Sequence, residues 1–345
     1  MPAGSAFERE AAEIPALVAT QAEQIQQRLA EVVARLLRLD PELVVTIARG
    51  SSENVAAFAR YLISLQLRLP AACLPPSLAS IYGRALRFDR ALALAISQSG
   101  TSPDLARSVR AARAGGAWCV GLLNEPGSPL GDELDVELGI GAGHEHAIAA
   151  TKTFVLSATA VLHLIAAWTR DTALHEALSE LPAVLARCPS RDYAAATRMF
   201  RDSAHVFVVG RGPALPMAKE LALKLQEVAG LHAEAQSAAE LLHGPIATAS
   251  AATPAIVFAG DSHSEASVRE AMGRLRSAGA AVLLLAPAAE PGGSDEVIQV
   301  PIAGHALLQP LVSLFGMYPF LAHLARERGR DPDRSPHLAK ATRTH

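Results

Sequence analysis

Short apolar runs alternate with longer amphipathic stretches along this chain, and the alternation recurs. Residues 7–39 carry apolar positions at helical spacing in an Ala-, Gln-, Glu- and Leu-rich background, which predicts one or two surface helices. Then "ELVVTIARGSSENVAAFARYLISLQ" reads as strand, tight turn and helix, and "RALALAISQSGTSPDLARSVRAARAGG" reads the same way again. "AWCVGLLNEPGSP" is a third strand running into a Pro/Gly turn. Strands alternating with helices predict an α/β fold whose parallel sheet is covered on both faces.

The whole pattern then returns. "HVFVVGRGPALPMAKELALKLQEV" parallels the first unit, "PAIVFAGDSHSEASVREAMGRLRSAGA" the second, and "AVLLLAPAAEPGGSD" the third. One offset of 162 positions carries Arg49 to Arg211, Ser102 to Ser264 and Leu122 to Leu284. Such agreement over three successive units predicts an internal duplication, not a short solenoid repeat. The expected organisation is a helical segment at 1–40, a first α/β domain at 41–185, a second at 193–328 and a tail at 329–345. The junction falls near Ala186–Asp192.

Bulk composition narrows the class. A chain of 345 residues exceeds the size at which one core usually stops growing, in line with two lobes. Half the residues are hydrophobic and the formal net charge is −3, so neither nucleic acid nor an anionic membrane is an expected partner. Cys73, Cys119 and Cys188 have no metal-like spacing, and their odd number favours a reducing compartment. The N-terminus shows no basic segment followed by an apolar one, so no signal peptide is expected. The longest apolar run, Phe154–Trp168, is shorter than the roughly 20 residues a membrane helix needs. The expected location is cytoplasmic.

Candidate chemistry collects at two strand ends. In parallel α/β sheets, ligands sit beyond the carboxyl ends of the strands. Both "RGSS" (Arg49–Ser52) and "SQSGTS" (Ser97–Ser102) fall there, each just before a helix whose first amides favour an anion. Serine hydroxyls add donors, and Gly50 and Gly100 remove obstruction at the turns. Neither a G-x-G-x-x-G nor a G-x-x-x-x-G-K-[ST] signature occurs here, which points to a small phosphorylated metabolite rather than a nucleotide. Any single serine is equally explained as a helix N-cap. The copies differ, however: Ser97-Gln98-Ser99 becomes Ala259-Gly260-Asp261, so the second copy has an acid where the first has a hydroxyl. An anion is expected in copy one and not in copy two.

"ISQSGTSPD", "AIAATKTF" and "HAEAQSAAELLHGP" resemble the sugar isomerase (SIS) domain family. More narrowly they are similar to the isomerase half of glucosamine-6-phosphate synthase and to stand-alone SIS-type glucosamine-6-phosphate deaminases. The resemblance covers nearly the whole chain and implies two tandem SIS domains, each a flavodoxin-like parallel-sheet sandwich. It implies a phosphate loop at Ser97, Gln98, Ser99 and Ser102, with further sugar-phosphate contacts at Ser51 and Ser52. It also implies a ring-opening histidine at His243, a proton-shuttling carboxylate at Glu227, and lysines at Lys224 and Lys340. A homodimer is implied, with the histidine reaching the partner subunit's site. The resemblance has two departures. Fewer than 50 residues precede the first lobe, and Met1-Pro2-Ala3 offers no N-terminal cysteine, which argues against a glutamine-using synthase. Thr101-Ser102-Pro103 stands where the synthase type usually has an acid, which is closer to the deaminase type.

The expected reaction converts glucosamine 6-phosphate and water to fructose 6-phosphate and ammonia, with no metal or organic cofactor. The same side chains also fit plain structural roles. Lys224 and Glu227 match an ordinary i,i+3 helix pair, and His243 matches a cation near a helix end. His232, Glu234, Glu240 and His243 have the spacing H-x-E-x₅-E-x₂-H, unlike the zinc signature H-E-x-x-H. Lys340 lies in a polar tail, a setting that usually means disorder, although "SPHLAK" suggests docking. Two rival functions remain: another sugar-phosphate aldose–ketose isomerase or a deaminase for an epimeric or N-acetylated relative, and a non-catalytic sugar-phosphate sensor.

Overall fold

The computed structural model describes residues 4–84, 86–188, 193–287 and 295–340. The elements run α1 (Ala6–Leu39), β1 (Leu43–Ile47), α2 (Gly50–Leu67), β2 (Ala71–Cys73), α3 (Ser77–Ser80), β3 (Ala91–Ser97), α4 (Pro103–Ala114), β4 (Trp118–Leu123), β5 (Val136–Gly139), α5 (Lys152–Thr169) and α6 (Thr172–Ala186). They continue as α7 (Ala194–Phe200), β6 (His205–Gly210), α8 (Ala214–Ala229), β7 (His232–Ser237), α9 (Ala238–Leu241), β8 (Ala255–Phe258), α10 (Glu265–Ser277), β9 (Val282–Ala286), β10 (Glu296–Gln299), α11 (Gln309–Phe315) and α12 (Tyr318–Glu327). The junction expected near Ala186–Asp192 lies partly outside the described residues, since 189–192 are not among them.

Two compact units result. The first holds Ala16–Glu145, Lys152–Ser179 and, from the tail, Ala339 and Lys340. The second holds Glu180–Leu338, His146–Thr151 and the described residues up to Pro15. Each contains one five-stranded, all-parallel sheet, ordered β2-β1-β3-β4-β5 in the first and β7-β6-β8-β9-β10 in the second. These are the same order, strand for strand. The expectation of two α/β halves with parallel sheets therefore holds.

The duplication extends to the register. Val44 pairs with Ala71 and Val45 with Ala93; Val206 pairs with Ala233 and Phe207 with Ala255, each displaced by the same 162 positions. The next pair slips by one residue, Ala93 opposite Cys119 but Ala255 opposite Val282. A shared side-chain clamp survives that slip. The Cys119 amide donates to the Asp135 carboxylate at 2.8 Å, and the Val282 amide to Asp295 at 2.7 Å.

Burial explains why the central strands stand out in the sequence. All seven residues of β3 and all five of β9 are buried, as expected for strands covered on both faces. The edge strands β2 and β7 lack such runs. Residues 7–39 form one helix, not two, and it is not a surface helix throughout: Ile25, Val32 and Leu36 in the first unit and Phe7 and Ile14 in the second are buried. Its start is a reciprocal capping box, in which the Ser5 amide donates to the Glu8 carboxylate and the Glu8 amide to the Ser5 hydroxyl. Helix α5 is long and apolar enough to cross a membrane, and 89% of it is buried inside the protein.

Candidate functional site

Unit one carries the hydroxyl cluster. Gly50 (φ +54°) opens α2 after β1, and Gly100 (φ +61°) sits in the turn between β3 and α4. At Gly100 the left-handed backbone is one reason for glycine, and space is the other. A Cβ there would lie 1.9 Å from the Ser128 hydroxyl. Ser97 is buried and accepts the Gly100 amide at 3.1 Å, while Ser99 accepts the Thr101 amide at 3.3 Å and meets the Thr101 hydroxyl at 3.0 Å. Ser97 and Ser99 thus shape the loop as well as lining it. Ser102 is the N-cap residue of α4, yet its side chain makes no capping bond, so a capping role does not account for it. Ser51, Ser52 and Gln98 are half-buried beside these turns.

Copy two answers the asymmetry. Asp261 occupies the matching turn, and its carboxylate accepts the amides of His263 (3.0 Å) and Ser264 (2.8 Å) and the Ser264 hydroxyl (2.8 Å). The Asp261 carboxylate uses the donors of this turn internally, and its negative charge would repel an anion brought beside it.

Three residues of unit one escaped sequence reasoning. Asp104, fully buried, takes two bonds from the Arg49 guanidinium at 3.0 and 2.6 Å and one from the Leu105 amide, tying the two hydroxyl-bearing turns together. Ser128 is buried beneath Gly100, and its hydroxyl finds no partner among the described residues. Glu145, 2% exposed, accepts the Thr153 hydroxyl at 2.8 Å, the Thr153 amide at 3.2 Å and the Lys340 ammonium at 2.7 Å. Lys340 is therefore docked. Position 340 is the last described residue of the tail, and 341–345 lie outside the described residues.

Unit two carries the acid–base candidates. Glu220, Lys224 and Glu227 occupy one face of α8 at i, i+4 and i+7. The Lys224 ammonium lies 3.2 Å from Glu220 and is also bonded to Glu227. The expected i,i+3 pair exists, but a solvated helix pair would not be this dry. Lys224 and Glu220 have no exposed side-chain surface, and Glu227 keeps 17%. Burial alone would drive the ammonium to release its proton; the two carboxylates outweigh it and hold Lys224 above the ordinary lysine range. The Glu227 carbonyl also accepts the Ser335 hydroxyl. A fixed ammonium thus positions one carboxylate whose outer edge reaches solvent, a suitable arrangement for a proton-transfer group.

His243 is exposed in the turn after α9, and its imidazole makes no hydrogen bond to a described residue. Helix α9 has only four residues, which leaves little dipole for a cation to complement. His232 faces His205, ring nitrogen to ring nitrogen at 3.2 Å, and Glu234 accepts from Gln236 at 2.6 Å. Among the described residues no group of three or more His, Cys, Asp or Glu side chains is placed to hold a metal ion.

Comparison with known proteins agrees with this fold. The SIS domain family matches residues 40–167 and 199–323. A glutamine–fructose-6-phosphate aminotransferase (isomerizing) of Halobacterium salinarum is 35% identical over 313 residues, covering 86% of this chain and 51% of that protein. The Mycobacterium tuberculosis aminotransferase of the same name is 33% identical over 337 residues, covering 92% and 53%. The chain spans about half the length of these relatives. Among solved structures, a Silicibacter pomeroyi protein provisionally assigned as a phosphosugar isomerase is 40% identical, with a TM-score of 0.90 over 95% of this chain and all of that one. A glucosamine-6-phosphate deaminase from Thermotoga maritima shares the fold at 21% identity, with a TM-score of 0.78 over 99% of this chain and 100% of that one. With both of its halves matched, the chain belongs to the SIS domain family.

Proposed function

We propose that this protein is a SIS-type glucosamine-6-phosphate deaminase acting in amino-sugar catabolism. The observation that carries the reading is the buried Glu220–Lys224–Glu227 line, which leaves one carboxylate at the surface. A sensor needs only to grip its ligand and has no use for such a device. Relatives named for fructose 6-phosphate and phosphosugar chemistry support the substrate class.

The phosphate binds the hydroxyl cluster of Ser51, Ser52, Ser97, Gln98, Ser99 and Ser102. His243 moves a proton between the ring oxygen and the C1 hydroxyl, opening the ring to the aldehyde. Glu227 takes the proton from C2 while O1 gains one from solvent, giving an enolamine, and returns it to C1 as the nitrogen gives one up to solvent. The product is a C2 imine with a C1 hydroxyl. Water adds at C2 and ammonia leaves, yielding fructose 6-phosphate. The Lys340 ammonium stabilises the developing oxyanion, while the wholly buried Lys224 acts through the Glu227 carboxylate that it holds. The carbonyl itself acidifies C2, so no cofactor is invoked.

His243 is exposed and its imidazole makes no hydrogen bond to a described residue, which supports its donation to a partner subunit's site in a homodimer. Mixing inactive Glu227→Gln and His243→Gln chains tests this. Random reassortment with sites shared between subunits restores about a quarter of wild-type activity. No recovery refutes the sharing.

The reading as a whole is tested by incubating the protein with glucosamine 6-phosphate, without glutamine, and measuring ammonia and fructose 6-phosphate together. Equal release of both is expected, and it is abolished in Glu227→Gln. The 40% identity to the Silicibacter pomeroyi protein favours a second reading, aldose–ketose isomerisation without deamination. Exchange of the C2 hydrogen of a sugar phosphate without ammonia would select it.

A further inference from the structure

Unit two holds a cationic recess that the proposed chemistry does not use. It follows α12 and has a volume of about 560 Å³; Arg328, Arg330, Asp331, Arg334 and Ser335 line it. Arg328 is committed to structure. Its guanidinium donates to the carbonyls of Ala229 (3.0 Å), Phe200 (3.2 Å) and Ser203 (3.0 Å), joining the ends of α7 and α8.

Arg330 is not committed. Its guanidinium lies where a side chain at 230 would stand, since a Cβ on Gly230 would fall 2.0 Å from its Cζ. Gly230 ends α8 with φ +56°, so both its backbone and its missing side chain make room for this group. The Arg330 amide donates to the Ala325 carbonyl at 2.8 Å, but its guanidinium makes no hydrogen bond or ion pair with a described residue. At the α8 terminus the Ala229 carbonyl is served by Arg328, Glu227 by the Ser335 hydroxyl and Leu225 by the amides of Gly230 and Leu231, so Arg330 caps none of these three. Arg328 sits close enough that the two cations repel, adding to the burial that already disfavours its charge. Arg334 adds a third guanidinium at the rim, 3.6 Å from Asp331. Three guanidinium groups against one carboxylate leave two positive charges facing one opening.

We propose that this recess is a binding site for a phosphate group, held by the forks of Arg330 and Arg334. Planar guanidinium pairs match tetrahedral phosphate oxygens, and an anion would relieve the repulsion between Arg328 and Arg330. Its lining shares no residue with the hydroxyl cluster of unit one. Through Ser335, whose hydroxyl donates to the Glu227 carbonyl, the recess adjoins the last turn of α8.

Calorimetric titration of the full chain tests the assignment, with inorganic phosphate in one arm and glycerol 3-phosphate in the other. If the hydroxyl cluster also binds phosphate, the wild type shows two sites. Arg330→Gln and Arg334→Gln each weaken one of them on the order of tenfold or more, and Ser99→Ala weakens only the other. If the hydroxyl cluster does not bind phosphate, the wild type shows one site that Arg330→Gln removes and Ser99→Ala leaves alone. The proposed function then fails without this site failing. Binding of both probes identifies an organic monoester site, and binding of inorganic phosphate alone identifies a free-phosphate site. Arg330→Lys, which keeps the charge and the packing volume, guards against a folding defect and is expected to bind with intermediate affinity. Wild-type stoichiometry and affinity in both glutamine variants would overturn the assignment.

Discussion

Replacing Lys224 by methionine removes one ammonium and almost no volume, so it isolates charge from packing. The pair with Glu220 is wholly buried, with no exposed side-chain surface on either residue. An exposed i,i+3 or i,i+4 pair would contribute about 0–1 kcal/mol, and its loss would be hard to detect. Breaking a buried pair leaves a carboxylate without its cation, at a cost of about 3–5 kcal/mol. Glu220→Gln together with Lys224→Met removes both buried charges, and the double variant is expected to regain about 2 kcal/mol or more over the single one. Lys224 is held above the ordinary lysine range, so its contribution is fully present below that range and is lost only as pH rises through the raised value. The wild-type contribution is therefore flat through neutral pH. In Lys224→Met the penalty instead shrinks on acidification, as Glu220 takes a proton. Urea unfolding of the three proteins at pH 7 and pH 5, followed by circular dichroism, reads these differences. A cost below about 1 kcal/mol for Lys224→Met, or a double variant no more stable than the single, would refute the claim that burial gives this pair its strength.

Three further outcomes follow from the geometry. Gly100→Ala forces an L side chain into positive φ, at about 1–2 kcal/mol, and drives its Cβ into the Ser128 hydroxyl; a raised KM for the sugar phosphate is expected, and an unchanged KM would show that the loop is not the phosphate site. Burial, aided by repulsion from His175, lowers His163 to about 4, so the unfolded chain binds a proton there first as pH falls from 6.5. Stability then declines between those two values by about 3 kcal/mol, and His163→Leu should flatten that limb of a Tm-versus-pH curve. The Cys119 thiol is pushed up to about 12 by burial and by neighbouring Asp135, whereas Cys73 is exposed. A thiol reagent at pH 8 should modify Cys73 first and Cys119 only on unfolding, as seen by peptide mass spectrometry.

Much of the scaffold is legible in the sequence because its signals are local. Buried central strands such as β3 are continuous apolar runs, and turn residues such as Gly50 and Gly100 mark where each run stops. The edge strands β2 and β7 carry no such signal. They are short or polar, and become strands only by pairing with a neighbour far along the chain. The one-residue slip between the copies at β8 and β9 is likewise hidden, since register depends on packing that no short window contains.

The same division runs through the candidate chemistry. Chain order alone determined the repeated strand–helix units, the placing of serines at two strand ends, and the replacement of a hydroxyl by Asp261 in the second copy. Tertiary structure decided what those groups meet. Glu145 receives Lys340 across 195 positions, Asp104 receives Arg49 across 55, and Ser128 lies beneath Gly100. It also made an ordinary-looking helix pair dry, by burying Lys224 and Glu220 completely. Periodicity and turn chemistry act over a few residues, whereas desolvation and ion pairing depend on which distant segments fold back against each other.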